Sequence, residues 1–482
     1  MFDFRPAGHV IGRLVLGLGL VMFVPAILDW YDGNGHWLVF GQSALITILA
    51  GSAMTLACAN SAGSGISLRQ AFVMTTGIWT ILPLFGSLPF VFGVTGAGFT
   101  DAVFEAMSGL TTTGATVFSG LETLPRGILL WRGLLQWFGG VGIIVVALVV
   151  LPQLRVGGMQ IFRSEDVDNL GNILPRVAET SRSVAWIYLL LTVMCAVSYQ
   201  WSGLGEFDAV VLAMTTVATG GFANSDASFA NLGPGPEYVG MLFMLLASLP
   251  FIRYMQLFRG HAGPFIRDSQ THAFLLVATV VVGLLTVWQL VTAPAGSELA
   301  FRKAAFNGIS ILTGTGYVSD DYGRWGGFAV SMFFLVGLIG GCAGSTSCSI
   351  KIFRYQLLFS LVATQIRRLH SPHGVFVPKY AQRKVGEDVI ASVMAFFFLF
   401  LLSLTVLAIS LGMTGLDMMT SMSGAVAALA NIGPGLGPVI GPTGNYAGIN
   451  DTAKWLLAAG MLIGRLELMV VFVLFTTEFW RR

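Results

Sequence analysis

Four short strips of glycine, threonine and other small residues recur through an otherwise very apolar chain. They are Leu110-Thr111-Thr112-Thr113-Gly114-Ala115-Thr116, Val217-Ala218-Thr219-Gly220-Gly221-Phe222, Thr313-Gly314-Thr315-Gly316-Tyr317 and Asn431-Ile432-Gly433-Pro434-Gly435. What such strips offer chemically is backbone. Glycine admits torsions that aim successive carbonyls to one side, and stacked carbonyl oxygens can replace the water around a bare cation. The residues before Gly114, Gly220, Gly316 and Gly433 are Thr113, Thr219, Thr315 and Ile432, all β-branched and stiff, as an extended strip requires. One such strip by itself reads equally as a close helix contact or a turn. Four in matched positions favour a carbonyl-lined path for cations.

Two further stretches put polar groups where lipid would make them costly. Gly337-Leu338-Ile339-Gly340-Gly341-Cys342-Ala343-Gly344-Ser345-Thr346-Ser347 interrupts a long apolar run, and irregular backbone at that depth must be buried in protein or line a cavity. Gly464-Arg465-Leu466-Glu467 lies within the last apolar run, and an ionisable residue there marks a functional site. An Arg465–Glu467 or Arg465–carbonyl contact of purely structural purpose is the competing reading. Cys58, Cys195, Cys342 and Cys348 all fall in or beside apolar stretches without zinc spacing, which predicts buried, inert thiols.

These residues need a membrane-embedded scaffold. The chain has 482 residues, 55% hydrophobic and only 10% charged, against roughly 25% charged in soluble domains. Its apolar runs are long enough to span lipid. The spans expected are Val10–Leu28, Leu38–Ala59, Gln70–Val94, Arg126–Leu151, Ser183–Gly203, Tyr238–Phe258, His272–Val291, Trp325–Leu361, Val389–Leu411 and Lys454–Phe479. Val10–Leu28 lacks a small-residue cleavage site and is expected to stay as the first helix. The strips fall between later spans at a period of roughly 90 to 110 residues. Each follows a short apolar segment, such as Asp101–Leu110 or Asp208–Val217, that starts with an acid in a capping position and would aim a negative helix C-terminus at the path.

The predicted architecture is an all-α polytopic membrane protein. Two N-terminal transmembrane helices occupy residues 1–66. Four helix–pore-helix–filter–helix repeats then surround one central pore, over 67–155, 156–260 (with an inner polar segment), 261–370 and 371–482. With Arg5 inside, most arginines and lysines fall on the inner loops, leaving Arg126, Arg132, Arg302, Lys303, Arg324 and Lys454 outside. Acids including Asp29, Asp32, Asp101, Glu105, Glu122, Asp226 and Glu237 are assigned to an outer mouth that would concentrate cations. The net charge of +2 gives no footing for a nucleic-acid partner.

On these strips, the glycine-rich interruption and the intramembrane arginine, the whole chain resembles the membrane subunit of the bacterial Trk/Ktr potassium uptake systems, most closely the TrkH branch with its two extra N-terminal helices. The resemblance implies one K+ filter built from Thr112, Thr113 and Gly114; Ala218, Thr219 and Gly220; Gly314, Thr315 and Gly316; and Asn431, Ile432 and Gly433. It implies a gate made of the loop carrying Gly340, Gly341, Gly344, Ser345 and Thr346, with Arg465 set against it as a barrier to cations. Ser347-Cys348-Ser349 departs from the more usual glycine-rich continuation of that loop. The resemblance also implies a TrkA-like NAD/ATP-binding regulatory subunit docked on Arg155–Arg182 and Arg367–Lys384, a homodimer with two pores, and a bacterial inner-membrane location with both termini cytoplasmic. No organic cofactor is implied. A proton- or sodium-coupled symporter on the same fold stays open, although His9, His36, His261, His272, His370 and His373 lie at span ends or loops and not along the path. A membrane enzyme would need a nucleophile–base pair or metal motif, and the sequence has none. A sodium-preferring pore is disfavoured because the family members that tend to admit sodium lack the first-strip glycine.

Overall fold

The computed structural model describes residues 3–61, 67–150, 157–162, 173–292 and 296–481. Among these, 7 helices are long and apolar enough to cross a membrane: Arg5–Tyr31, Trp37–Ala57, Leu68–Phe92, Arg126–Leu148, Ser181–Trp201, Ser269–Thr292 and Glu387–Met413. An eighth is counted if Pro234–Ala247 and Phe251–Phe258, bent by 88°, form one span. In lipid every backbone polar group must find an internal partner, so apolar sequence of this length is driven into helices.

The first two spans form a hairpin packed on the first repeat. The first span breaks at Met22, four residues after Leu18, whose carbonyl the Met22 amide still reaches; Pro25 then denies the next turn a donor. The two helices approach so closely that a Cβ on Gly51 would stand 2.5 Å from the Leu16 amide nitrogen. Asp29, fully buried, docks the hairpin on the repeat by accepting from the Gly127 amide at 2.8 Å and facing His36 Nδ1 at 3.1 Å. Asp29 is thus a structural acid and not part of an outer mouth.

Four repeats follow, each a leading helix, a short pore helix, a strip and a return helix. The pore helices are Phe99–Leu110, Glu206–Val217, Ser297–Thr313 and Met418–Ala430. Their caps correct the sequence reading in part. Gly98, Gly205 and Gly296 occupy the first three N-caps, with acids in the first turn, and only Asp417 caps by accepting from the Thr420 amide. First-turn acids still favour the positive helix end.

The return helices of the second, third and fourth repeats are broken on their inner halves; the sequence predicts the break in the third and continuous spans in the other two. Tyr238–Phe258 is interrupted at Ser248-Leu249-Pro250 because Pro250 cannot donate. Trp325–Leu361 stops at Gly337 and resumes as Ile352–His370. Lys454–Phe479 stops at Arg465, turns through Glu467 at φ +59°, and resumes as Met469–Val473 and Thr477–Arg481. Of the core clusters among the described residues, the two largest lie around repeats two and three and around repeats one and four.

Candidate functional site

Each pore helix ends in the same backbone device. The residue after the last turn is left-handed: Thr112 (φ +50°), Thr219 (φ +50°), Gly314 (φ +75°) and Asn431 (φ +51°). The next amide then reaches back to the carbonyl five residues earlier: Thr113 to Ser108 at 2.8 Å, Gly220 to Thr215 at 2.9 Å, Thr315 to Ser310 at 2.9 Å and Ile432 to Ala427 at 3.0 Å. This closes the helix C-terminus and throws the chain into an extended strip. Threonine is β-branched and strained at positive φ, so Thr112 and Thr219 hold conformations that only surrounding structure can maintain.

Two residues after each left-handed position comes a glycine, again at positive φ: Gly114, Gly221, Gly316 and Gly433. Each meets the preceding carbonyl of the adjacent strip. A Cβ on Gly114 would stand 2.3 Å from the Gly220 oxygen, and one on Gly221 would stand 1.9 Å from the Thr315 oxygen. One on Gly316 would stand 1.8 Å from the Ile432 oxygen, and one on Gly433 would stand 2.7 Å from the Thr113 oxygen. The order one to two, two to three, three to four, four to one closes a ring. Gly114, Gly221, Gly316 and Gly433 also line one cavity of about 180 Å³ above the ring, along with Thr116, Arg132, Asp226 and Tyr446. The negative ends of four pore helices converge on the opposite side of the glycines.

The register of the second strip therefore differs from the sequence reading. Ala218, Thr219 and Gly220 were matched to Thr112, Thr113 and Gly114. The left-handed residue, the helix-closing bond and the cavity lining all align Thr219, Gly220 and Gly221 instead. Consecutive glycines hide the register in sequence, and only the preceding helix end reveals it. Ala218 is the C-cap of its pore helix.

Buried side chains hold the ring from behind. Glu105, fully buried, accepts from Thr116 Oγ1 at 2.9 Å, the Val117 amide at 2.9 Å and Arg132 Nε at 2.8 Å. Arg132 also donates to the Ala223 carbonyl at 2.9 Å, so the pair joins strips one and two. Asn307 does the equivalent job in repeat three, accepting from the Ser319 amide at 3.1 Å. Asn431 donates to Thr113 Oγ1 at 2.8 Å, and Tyr446 donates to the Gly433 carbonyl at 2.7 Å. Glu105, Glu237, Arg132, Arg302, Lys303 and Lys454, read from sequence as outer loop charge, are engaged in ion pairs: Glu237 takes both Arg302 at 2.8 Å and Lys303 at 2.7 Å, and Lys454 meets Asp101 at 2.5 Å. The acidic mouth is correspondingly smaller than predicted.

On the other side of the ring lies the loop between Gly337 and Ile352. The broken second-repeat return helix holds it. Ala247 O accepts from Thr346 Oγ1 at 3.0 Å, Ser248 O from the Cys342 amide at 3.0 Å, and the Phe251 amide donates to Gly344 O at 2.9 Å. Gly340 packs so tightly that a Cβ would stand 2.0 Å from Cys348 O, and a Cβ on Gly341 would stand 2.7 Å from the Ser347 Cβ. Gly344 is at φ +73° and Ser345 Oγ donates to Cys342 O at 2.6 Å. Cys348 touches the ring: its Sγ is 3.6 Å from Thr112 Oγ1, and its Cβ is 3.4 Å from where a Gly314 Cβ would lie. Arg465, buried, donates to Cys348 Sγ and to Gly139 O at 3.3 Å, and its Nε has no partner among the described residues. Glu467 pairs with Arg354, not with Arg465.

Residues 36–481 match the family model of TrkH, described as a cation transport protein. The chain belongs to the TrkH family. Trk system potassium uptake protein TrkI of Halomonas elongata is 42% identical over 99% of this chain and 97% of its own length. Trk system potassium uptake protein TrkH of Escherichia coli is 35% identical over 99% of both chains. The crystal structure of the potassium transporter TrkH from Vibrio parahaemolyticus superposes with a TM-score of 0.91, at 31% identity and covering both chains entirely. These relatives are named as transporters and not as enzymes. For this TrkH-family chain the sequence missed Gln136, the Glu105–Arg132 pair, Tyr446 and the Ser248–Pro250 break. Arg132 and Gln136, four apart in an apolar helix, carried a signal in their polarity alone. The segment Arg155–Arg182, expected to dock a partner, lies largely outside the described residues.

Proposed function

We propose that this chain is the membrane subunit of a potassium uptake system, and that K+ permeates through the ring of four strips as through a channel. The observation that carries this is the cyclic contact of four carbonyls with four positive-φ glycines at the convergence of four pore-helix C-termini. Such a ring offers oxygen ligands in place of hydration water, and the helix ends add a favourable potential for a cation. The loop through Gly340, Gly341, Gly344, Ser345 and Thr346 is the gate, with Cys348 against Thr112 and the buried Arg465 charge opposing cations below the ring. Filter membership is assigned to Thr112–Gly114, Thr219–Gly221, Gly314–Gly316 and Asn431–Gly433.

By the naming of its relatives and the family resemblance, the protein works in the bacterial inner membrane with both termini cytoplasmic, as a homodimer under a TrkA-like NAD/ATP-binding regulator. Flux of potassium, rubidium and sodium into proteoliposomes containing the full chain tests the reading. Uptake of potassium and rubidium down their own gradients, indifferent to proton or sodium gradients, is expected. Uptake that requires a proton or sodium gradient would replace the channel mechanism with coupled symport.

A further inference from the structure

The four strips are braced differently at the position just before the central glycine. Strips one and three use threonine pairs, with Thr111 and Thr113 hydroxyls 2.8 Å apart and Thr313 and Thr315 hydroxyls 2.8 Å apart. Strip four fills the position with buried Ile432, whose Cδ1 lies 3.1 Å from where a Gly337 Cβ would stand. Strip two has Gly220 there and Ala218 two residues before, so it lacks the threonine pair, and its Thr219 hydroxyl donates only to the neighbouring Ala218 O at 2.7 Å.

Gln136, fully buried on the return helix of repeat one, reaches into that space. Its Nε2 donates to Gly220 O at 2.6 Å and its Oε1 accepts from the Phe222 amide at 3.1 Å. A carbonyl needs a donor and an amide needs an acceptor, so the orientation of the Gln136 amide follows from its partners. A Cβ on Gly220 would stand 2.4 Å from Gln136 Cδ and Oε1, which is to say that Gln136 occupies the volume a side chain would take in the other strips. Arg132, one turn earlier on the same face, extends the grip to Ala223 O at 2.9 Å.

We propose that Gln136 is a positioning residue for selectivity: by gripping both sides of the Gly221 residue it holds strip two at the same radius as the other three. This rests on the reading of the strips as a filter. Two consecutive glycines give strip two more backbone freedom than a β-branched residue before the glycine allows, and Gly220 O is the very atom that meets Gly114 of the adjacent strip. Without the grip the strip relaxes around the smaller ion, and discrimination of K+ from Na+ falls.

The test is the K+/Na+ permeability ratio of the full chain in planar bilayers or proteoliposomes, for Gln136→Met, Gln136→Glu, Gly220→Thr and the double variant Gln136→Ala with Gly220→Thr. Gln136→Met keeps the volume but neither hydrogen bond, and Gln136→Glu places an acceptor against Gly220 O. Both are expected to lower the ratio tenfold or more in protein that elutes and melts like the parent. Gly220→Thr collides with Gln136 and is expected to lose the ratio, while the double variant, which clears that space and places a threonine where strips one and three carry Thr113 and Thr315, regains it. A folded Gln136→Met protein with the parental ratio overturns the inference, as does a folded double variant no more selective than Gly220→Thr. Gly114→Ser separates the two levels. If it lowers the ratio and Gln136→Met does not, this inference alone falls. If neither does, the filter reading falls and takes the inference with it.

Discussion

Gly221 shows why the ring tolerates only glycine at its centre. Its positive φ already disfavours other residues, and any Cβ would enter the Thr315 oxygen at 1.9 Å. Gly220 has no positive φ and meets first the Gln136 side chain, not a backbone carbonyl, so the two neighbours should respond differently to alanine. Overpacking of this kind costs about 1–3 kcal/mol, and each 1.4 kcal/mol is about tenfold in a binding ratio. Gly221→Ala is therefore expected to reduce K+/Na+ discrimination by about tenfold or more in competition flux, and Gly220→Ala by less. The reverse ranking would restore the register that sequence alone suggests. The Glu105–Arg132 pair makes a separate demand. Removing one partner leaves a buried charge, at a cost of about 3–5 kcal/mol, whereas apolar replacement of both is far milder. Glu105→Ala should lower the melting temperature in detergent more than Glu105→Leu with Arg132→Met does.

At the scale of elements, the breaks in the return helices are what make a loop possible below the ring. Pro250 ends one helix and frees Ala247 O and Ser248 O, and these accept from Thr346 and Cys342. The loop is thus held by another repeat as well as by its own, where Gln270 Oε1 accepts from the Ala343 amide at 2.9 Å and Ser349 Oγ donates to Gly337 O at 2.7 Å. Arg465 packs against the loop through Thr346 O and Cys348 Sγ, with its charge opposed by no carboxylate among its described contacts. Arg465→Ala is expected to raise potassium flux several-fold in the absence of any partner protein, and unchanged flux would remove Arg465 from the proposed gate. The fourth pore helix depends on its cap in a pH-dependent way. The hydrogen bonds from Thr420 hold the exposed Asp417 carboxyl below its usual range. Asp417→Ala should cost about 1 kcal/mol. Because the folded-state value is lowered, that contribution is present at neutral pH and fades as pH drops through the carboxylate range. Thermal melts of parent and variant should converge in acid.

For the whole molecule, Arg354 is the tie between the loop and the inner face. It lies in the first turn of the helix after the loop, donates to Gly157 O at 2.8 Å, pairs with Glu467 at the break of the last helix, and lies 3.8 Å over the Phe396 ring of the fourth leading helix. Arg354 therefore ties three parts of the chain distant in sequence to the helix that follows the loop. Glu467→Gln, which keeps a hydrogen bond but removes the charge, is expected to destabilise the folded protein less than Glu467→Ala. A double-mutant cycle with Arg354→Met should return a coupling of about 1 kcal/mol or more. Zero coupling would mean the pair is incidental. Asp29 plays a comparable part outside, anchoring the N-terminal hairpin through the Gly127 amide.

The sequence by itself determined the membrane class, the fourfold repeat, the four strips and the interrupted third return helix. Those features follow from local composition: apolar length, the spacing of glycine and threonine, and the cost of polar backbone in lipid. Only the tertiary structure decided the second strip's register, because Gly220 and Gly221 look alike until the end of the preceding helix and the neighbouring strips choose between them. It alone also turned Asp29, Glu105 and Glu237 from mouth charges into buried partners, since burial depends on which helices meet. The breaks at Ser248–Pro250 and Leu466–Leu468 belong to the same class. Apolarity runs straight through the first, Arg465 and Glu467 mark the second without showing that the helix stops there, and the freed carbonyls and the Glu467 charge find their partners in segments remote along the chain.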